Sequence, residues 1–340
     1  MNNWIYWLEE LGHGANDLVG KKCANLGEMT CMGLRVPPGF ALSLKACTDF
    51  MALSGAMDEI KDYLDKAERD LDGVEALNEV SAHLRSVVDS KEMPEEMKNA
   101  VLSCYRRLCE RCNTPGVAVS TRSAGAKSHP GQYETHLNVK GESDVLDFIK
   151  KVWSSAFNPR SLAARKRLGL PLHSDPIGVA VLRMVDARAA GVLFTADPNT
   201  GDHSKMIIEA NWGLGESVVG GEAVPDMFIL RKDNLEILDK KLGGKGRIVK
   251  CCDRGIVEEQ TPCDQKETFC LTDEEIVEIA RLGKVLEKRF GVPQDTEWAV
   301  EHGRAHPESV VLLQTRPEVI AKKADPLDQV INMMVGRFSC

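Results

Sequence analysis

The chain has 340 residues, of which 43% are hydrophobic, so it can bury a sizeable core, and its length indicates about two domains or lobes. Its formal net charge of -8 and the lack of a dense Lys/Arg run argue against a nucleic-acid-binding protein, which normally carries a basic patch. We expect a cytoplasmic protein, because no apolar run is long enough to span a bilayer and residues 1–11 lack a secretion signal.

The first predicted elements are helices. Residues 22–33 and 48–56 are predicted as short helices, and residues 57–111 are charged, periodic and poor in glycine, which is typical of a helical segment. Lys22 lies in a Gly-Lys-Lys turn at the start of the first helix, where backbone N–H groups and an ammonium can hold phosphate oxygens. A solvated surface lysine is the alternative interpretation of this turn.

The middle of the chain combines strands with one further helical region. Strand-like runs begin at Val117, residues 143–167 have a helical pattern, and residues 176–194 are predicted as two strands around a turn at 186–190. Arg122 lies where the first of these strands meets a loop of small residues, so the backbone there can approach a phosphate closely.

A glycine-rich turn follows another predicted strand at residues 207–209. The turn, residues 213–216, is not a Walker A loop, because no Gly-Lys-Ser/Thr follows, and it lacks the third glycine of a Rossmann fingerprint at Val218. Thr272 and Glu275 then form a capping-box signal for a helix that runs to Arg289.

Two final strands carry the residues with the clearest chemistry. Residues 296–301 and 311–317 are predicted as neighbouring strands, and side chains two apart on a strand share one face. Glu297, Gln314 and Arg316 would then supply a carboxylate, an amide and a guanidinium, which are groups that hold Mg²⁺ and a polyphosphate. An ordinary hairpin with a solvated polar face is the alternative. Together the elements predict an α+β protein with a nucleotide between lobes.

The cysteines do not predict a metal site. Their number, eleven, is odd, so a disulfide framework that pairs all of them is impossible. Cys109 and Cys112 have C-x-x-C spacing, but the second pair that a zinc site needs is missing, and we expect free thiols. Cys23 lies next to Lys22, so a thiolate there would make the phosphate site sensitive to oxidation.

Six blocks of this sequence occur in an order and spacing that resemble a known family. It is the amino-terminal ATP-binding domain of the phosphoenolpyruvate synthase and pyruvate phosphate dikinase family, and the resemblance extends over residues 4–320. The blocks are residues 19–29, 36–42, 119–124, 129–135, 191–198 and 209–216.

The resemblance implies an ATP-grasp-type fold with lobes that enclose a nucleotide cleft. Residues 1–115 would form an amino-terminal lobe with the phosphate-binding lysine, and residues 116–320 the ATP-grasp core lobes. Residues 321–340 would form a carboxy-terminal tail. An apolar stripe in this tail predicts a helix that docks on a partner or packs on its own domain; its members are Leu327, Val330, Ile331 and Met334.

The resemblance also implies the site residues, with ATP and Mg²⁺ as cofactors. Lys22, Arg122 and Arg316 match catalytic positions, and Glu297 and Gln314 match metal ligands, with Asp295 in support. The matched ATP-binding positions are Lys22, Arg122, Gly131, Thr135, Leu182, Glu297, Gln314 and Arg316. Glu209 and Glu216, beside the glycine-rich turn, are further candidate ligands. Lys21 replaces a family glycine and Leu182 replaces a glutamine, so Leu182 would meet adenine through neighbouring backbone.

Enzymes of the resembled family transfer a group from ATP to a histidine on a swivelling domain and then to an acceptor. This sequence contains no such histidine motif, so we expect a larger partner subunit to carry the phosphohistidine and the acceptor site. The arrangement resembles phenylphosphate synthase, with phenol as acceptor and AMP and phosphate as products. The alternatives are the ATP-binding part of a split phosphoenolpyruvate synthase, pyruvate phosphate dikinase or drug phosphotransferase, and a non-catalytic nucleotide-sensing adaptor.

Overall fold

A computed structural model describes residues 3–12, 14–67, 73–125, 133–221 and 223–319. The chain divides into two compact units. Unit 1 comprises Met1–Ala187, Val249–Glu259 and Val311–Gln314, and unit 2 comprises Arg188–Ile248, Gln260–Val310 and Thr315–Cys340. The predicted boundary between residues 115 and 116 therefore lies inside unit 1. The predicted tail, residues 321–340, and its apolar stripe lie outside the described residues.

Unit 1 contains most of the helices. They are α1 (Asn16–Val19), α2 (Lys21–Cys31), α3 (Leu44–Leu53), α4 (Ala56–Ala67), α5 (Val74–Ser90), α6 (Glu95–Arg111), α7 (Glu142–Ser154) and α8 (Pro159–Arg167). Short 3-10 turns occur at Leu8–Glu10 and Ser155–Phe157. The predicted helical segment 57–111 is thus divided among α4, α5 and α6, and the helix predicted at 48–56 is interrupted at Ser54 and Gly55. Gly55 has a φ of +75°, which a right-handed helix cannot contain, and glycine adopts this φ without the steric cost that other residues meet.

A five-stranded antiparallel sheet forms the centre of unit 1. Its strands are β1 (Ile5–Trp7), β2 (Gly39–Leu42), β3 (Val119–Gly125), β4 (Thr135–Val139) and β5 (Ile177–Arg183), in the order β1-β2-β5-β3-β4. The central strand β5 is buried from Ile177 to Leu182, which indicates that both of its faces are covered. Phe50 of α3 and Trp153 of α7 stack at 4.9 Å between ring centroids in the same core.

Unit 2 is built around a second sheet. The remaining strands are β6 (Ala187–Phe194), β7 (Lys205–Trp212), β8 (Asp226–Arg231), β9 (Ile237–Lys241), β10 (Arg247–Cys251), β11 (Ile256–Gln260), β12 (Gln294–Glu301) and β13 (Val310–Pro317), and the remaining helices are α9 (Glu216–Val219), α10 (Cys263–Lys266) and α11 (Asp273–Phe290). Six strands are ordered β13-β12-β6-β7-β8-β9. β10 pairs with β11 in a separate hairpin, most of which belongs to unit 1 through its segment Val249–Glu259. The predicted strands at 207–209, 296–301 and 311–317 are confirmed as parts of β7, β12 and β13.

The longest of the described helices, α11, begins as the sequence predicts. The Thr272 hydroxyl accepts from the N–H of Glu275, and the Glu275 carboxylate accepts from the N–H of Thr272, so the predicted capping box is present. At Gly283 the helix lies against unit 2's sheet, where an added Cβ would come within 2.3 Å of Leu193 Cδ2 and 3.0 Å of Met206 Cε. A larger residue at this position would therefore displace the ends of two core side chains.

Residues 176–194 form the two predicted strands, but the turn between them comes earlier than predicted, and the two strands lie in different sheets. Strand β5 pairs with β2 and β3, whereas β6 pairs with β7 and lies beside β12. β6 also begins at Ala187, inside the predicted turn 186–190. Local sequence signals reveal a strand but not its partners, and here partners distant in sequence complete both sheets.

A buried ion pair stabilises unit 2. Lys245 Nζ donates to Asp226 Oδ1 at 2.5 Å, and both side chains are fully buried. The Asp226 carboxylate also accepts from the N–H of Gly243 at 2.8 Å and from the N–H of Cys270 at 2.9 Å. One carboxylate thereby connects the start of β8, the segment after β9 and the segment before α11.

Among the helices that the structure describes, none is both long enough and apolar enough to cross a membrane.

Candidate functional site

The predicted phosphate lysine is held at a helix start that contacts a strand. Gly20 is the N-cap of α2, has a φ of +80°, and an added Cβ there would lie 2.0 Å from the carbonyl oxygen of Ala124 on β3. Lys22 follows in the first turn of α2 and is half-buried. The backbone N–H groups of this turn carry the positive end of the helix dipole, which adds to the charge of Lys22.

Arg122 and Thr135 occupy opposed positions on β3 and β4. The antiparallel register pairs Arg122 directly with Thr135, so their side chains start from the same face of the sheet. Arg122 Nη1 donates to the carbonyl oxygen of Leu313, at 3.1 Å, in the part of β13 that belongs to unit 1. The structure therefore brings two predicted ATP-binding residues together and orients the guanidinium of one.

Cys23 shows that the charges of Lys22 and Arg122 act in the same region. Burial raises the pKa of the Cys23 thiol to about 12, although the positive charges of Lys22 and Arg122 oppose this shift. The buried thiol therefore remains protonated at neutral pH, and we do not expect the oxidation sensitivity that a thiolate would bring. Lys22 and Arg122 are close enough to the same sulfur for both charges to affect it.

We expect Gly20→Ala to weaken nucleotide binding by displacing the first turn of α2. The new Cβ would overlap the Ala124 carbonyl oxygen, and an L-residue at φ +80° and ψ +157° adds strain of about 1–3 kcal/mol. Gly33→Ala, just after the other end of α2, is the matched control: its φ is +72°, but its Cβ would meet nothing within 4 Å. Isothermal titration should show a larger loss of ATP affinity for Gly20→Ala than for Gly33→Ala. Equal losses of affinity would contradict a role for the Gly20–Ala124 contact.

The described residues that follow the predicted nucleotide loop are anchored to unit 1. Gly131 lies outside the described residues. Beyond it, the Tyr133 hydroxyl donates to Asp175 at 2.8 Å, and Glu134 forms an ion pair with Arg85 at 2.7 Å. These contacts fix the entry to β4, whose first residue is Thr135.

Leu182 is placed for packing within the sheet. Only 1% of its surface is exposed, and it lies on β5 between Gly39 and Ser120 of the neighbouring strands. The next two backbone N–H groups are already occupied: that of Arg183 donates to Pro38 and that of Met184 to Ala118. Recognition of adenine by these donors would require those bonds to break, and the adenine contact predicted near Leu182 stays a prediction.

Gln314 has the buried, unsatisfied oxygen expected of a metal ligand. It is 5% exposed, and its Oε1 has no hydrogen-bond partner in the part of the chain that the structure describes. A buried amide oxygen without a hydrogen-bond partner raises the free energy of the folded protein, and a bound cation that it coordinates would remove this penalty. Amide oxygen is an accepted ligand type for hard divalent cations, so Gln314 fits the predicted Mg²⁺ site.

In unit 2, Arg316 is paired with Asp295. The Nε and Nη2 atoms of Arg316 lie 2.7 Å and 2.6 Å from Asp295 Oδ2. On the opposite side of the strands, the Thr296 and Thr315 hydroxyls are 3.0 Å apart, so alternation assigns Asp295, Glu297 and Arg316 to one face. About a third of the Arg316 side chain remains exposed (35%), which leaves room for a phosphate contact besides the ion pair.

Glu297 contributes negative charge to the same face. Burial raises the pKa of the Asp295 carboxyl, Arg316 opposes this shift, and the charge of Glu297 adds to it. Glu297 itself is half-buried on β12. The structure thus brings together two predicted site residues, Glu297 and Arg316, with the carboxylate that orients the guanidinium.

Two further carboxyl groups of unit 2 are relevant to this face and its sheet. Burial alone raises the pKa of Glu209 on β7. Glu318, which the sequence analysis missed, has its pKa raised to about 7, chiefly by burial, and its Oε1 is buried without a hydrogen-bond partner among the described residues. Its position in the sequence, two residues after Arg316 and directly after β13, is the signal that could have identified it.

Comparisons with known proteins identify the family of this chain. A family model described as pyruvate phosphate dikinase, AMP/ATP-binding domain, matches residues 16–333. A "Probable phosphoenolpyruvate synthase" of Methanocaldococcus jannaschii is 37% identical over 329 residues, covering 94% of this chain and 27% of that protein. A phosphoenolpyruvate synthase of Pyrococcus furiosus is 31% identical over 384 residues, covering 98% of this chain and 46% of that protein. The chain thus spans less than half the length of either relative.

Two antiparallel sheets, each packed with helices, make this an α+β protein with an ATP-grasp-like fold, as predicted. The chain belongs to the pyruvate phosphate dikinase AMP/ATP-binding domain family. This membership confirms the resemblance that the six sequence blocks indicated.

Proposed function

We propose that this chain is the ATP-binding part of a dikinase-type phosphotransferase. A histidine nitrogen on a partner subunit attacks the β-phosphorus of Mg-ATP, and the bond from that phosphorus to the AMP oxygen breaks. AMP leaves, water then releases the terminal phosphoryl group as phosphate, and the phosphoryl group left on histidine passes to an acceptor. The observation that carries the proposal is the match of an AMP/ATP-binding domain family to residues 16–333.

The proposed roles of the cations follow from their surroundings. Lys22, Arg122 and Arg316 would bind phosphate oxygens and stabilise the charge that shifts to them during transfer. Arg122 is oriented by the Leu313 carbonyl and Arg316 by the Asp295 carboxylate, so neither guanidinium must be ordered anew when ATP binds. Such preorganisation is the main protein contribution to phosphoryl transfer, since positioning and electrostatics dominate it.

The proposed Mg²⁺ ligands are Glu297 and Gln314. The half-buried carboxylate of Glu297 and the buried, unpartnered Oε1 of Gln314 are hard oxygen donors of the kind Mg²⁺ prefers. When bound, the ion would neutralise part of the charge on the phosphates.

The acceptor is a further part of the proposal. Phenol is the first candidate, because the split arrangement proposed here, with a histidine-bearing partner, resembles phenylphosphate synthase. Pyruvate is the second candidate, because the relatives in Methanocaldococcus jannaschii and Pyrococcus furiosus bear phosphoenolpyruvate synthase names. The identity of the partner separates these two and the drug-phosphorylating alternative, since the acceptor site would lie on that partner.

A non-catalytic nucleotide sensor is a candidate of another class. It is favoured by one observation: the Asp295 carboxylate already occupies two nitrogens of Arg316, as a purely structural pair would. Two observations favour the catalytic proposal instead. Arg316 is partly exposed, and the buried Oε1 of Gln314 has no hydrogen-bond partner among the described residues.

The deciding experiment follows a β-phosphate label. The chain is co-expressed with proteins encoded beside it, purified, and incubated with Mg-ATP labelled at the β-phosphate. We expect label on a histidine of a co-purifying larger subunit and AMP only when that subunit is present; acceptors are then screened, phenol before pyruvate. ATP binding without AMP formation, with the partner present, would overturn the catalytic assignment and leave the sensor.

A further inference from the structure

A buried chain of hydrogen bonds connects β12 and β13 on the face opposite Arg316. Its members are Gln294, Thr296 and Thr315, each of which is at most 1% exposed. The Thr315 hydroxyl donates to Gln294 Oε1 at 3.0 Å, and the hydroxyl oxygens of Thr296 and Thr315 are 3.0 Å apart. The chain is anchored to the segment after β6 as well, because the backbone N–H of Gln294 donates to the Thr195 hydroxyl at 2.8 Å.

The direction of each hydrogen bond in this chain can be assigned. Gln294 Nε2 donates to the carbonyl oxygens of Val292 at 2.8 Å and Pro293 at 3.2 Å, so its Oε1 faces Thr315. Since the Thr315 hydroxyl hydrogen is used on that oxygen, the hydrogen between the two threonines comes from Thr296. Every other arrangement would leave a buried donor or acceptor unpaired, and the chain therefore has one preferred geometry.

The same three residues border both members of the ion pair on the opposite face. Asp295 lies between Gln294 and Thr296 in the sequence, and Arg316 directly follows Thr315. Successive side chains leave a strand on opposite faces, so a side chain that is fixed on the buried face also fixes the backbone from which its neighbour extends. In this arrangement, Arg316 Nε and Nη2 lie 2.7 Å and 2.6 Å from Asp295 Oδ2.

We propose that Thr315 is a positioning residue, whose hydroxyl holds β13 on β12 so that Arg316 is oriented to bind a nucleotide phosphate. This inference rests on the proposed function, in which Arg316 binds phosphate. Without the hydroxyl, Gln294 Oε1 loses its donor and the Thr296 hydroxyl loses its acceptor. Both groups must then find new partners, and the two strands shift relative to each other. A guanidinium displaced in this way binds phosphate less tightly, because its orientation is no longer set before the nucleotide arrives.

The experiment compares two substitutions of Thr315 in the full chain by isothermal titration with Mg-ATP. Thr315→Val keeps the shape of the side chain and loses the hydroxyl, whereas Thr315→Ser keeps the hydroxyl. We expect Thr315→Val to raise the Kd about three- to tenfold, the range that the loss of one or two hydrogen bonds produces, and Thr315→Ser to bind nearly as the wild type does. The matched control is Thr261→Val, because the buried Thr261 hydroxyl has no hydrogen-bond partner among the described residues; its Kd should not change.

The same substitution in an Arg316→Met background separates positioning from a general structural effect. If Thr315 acts through Arg316, Thr315→Val should leave the Kd of Arg316→Met unchanged. An equal increase in both backgrounds, with Arg316→Met itself weakened, would overturn the positioning role and leave the proposed function intact. If Arg316→Met binds ATP as tightly as the wild type, the phosphate role of Arg316 has failed, and the inference fails with it.

A measurement without nucleotide observes the guanidinium directly. The Arg316 Nε–H signal in a proton–nitrogen NMR spectrum is identified by its absence from the spectrum of Arg316→Met, and it reports the contact with Asp295. We expect this signal to move in Thr315→Val and to keep its position in Thr315→Ser. An unchanged signal in Thr315→Val would contradict the proposal even if ATP affinity fell, because the loss of affinity would then have another cause.

Discussion

Lys245→Met is expected to lower the free energy of unfolding by about 3–5 kcal/mol, because it leaves the Asp226 carboxylate charged and buried without its cation. Both side chains are fully buried, so water cannot replace the lost partner. The N–H groups of Gly243 and Cys270 would still donate to Asp226, but neither supplies a compensating charge. Urea unfolding followed by circular dichroism measures the change.

Two further variants make this expectation specific. Lys241→Met removes an exposed lysine of β9 that lies 3.8 Å from Asp239, and should cost under about 1 kcal/mol. The double variant Asp226→Asn with Lys245→Met removes both charges and should recover part of the loss. A Lys245→Met protein as stable as the Lys241→Met protein would show that the buried pair contributes no more than a surface pair.

The buried pair also illustrates what the sequence could not reveal. Asp226 and Lys245 are separated by a strand, a turn and a second strand, and neither occurs in a motif of charged residues. A lysine in a glycine-rich segment predicts a solvated side chain, since lysine is almost never fully buried without a partner. Only the register of β8 and β9 brings the two together, and such pairing depends on the whole sheet.

Local patterns did predict the elements that position the site. The helix that begins beside Lys22, the capped helix after Thr272 and the strands that carry Glu297 and Arg316 each have a signal within about ten residues. Alternation along β12 and β13 further predicted a shared polar face, and the Asp295–Arg316 pair is on it. These features depend on periodicity and capping, which are properties of a short segment.

Properties that depend on distant partners were missed. The separation of β5 and β6 into two sheets is one, because both segments are good strands and nothing local selects the neighbour. The raised pKa of Glu318 is another, since it results from burial and from charges on β12 and α11. The carbonyl of Leu313, which accepts from Arg122, is a backbone group whose role no sequence motif can indicate.

Arg122→Met is expected to lower ATP affinity by about 10- to 100-fold, because a charge-assisted hydrogen bond to phosphate contributes about 1.5–3 kcal/mol. The loss in transfer of the β-phosphate label to the partner should be larger, about 10²- to 10³-fold, if Arg122 also stabilises charge that develops during transfer. Titration calorimetry measures the first quantity, and the initial rate of labelling measures the second.

The geometry around Arg122 allows a finer test with lysine. Arg122→Lys keeps the positive charge but loses the planar guanidinium group. In the wild type, Nη1 of this group donates to the Leu313 carbonyl. We therefore expect its affinity and rate to lie between those of the wild type and Arg122→Met. Arg106→Met, which removes an exposed arginine paired with Glu142, should match the wild type in both measurements. If Arg122→Met binds ATP normally and only labelling falls, Arg122 acts in transfer alone; if neither changes, the phosphate role assigned to this arginine is wrong.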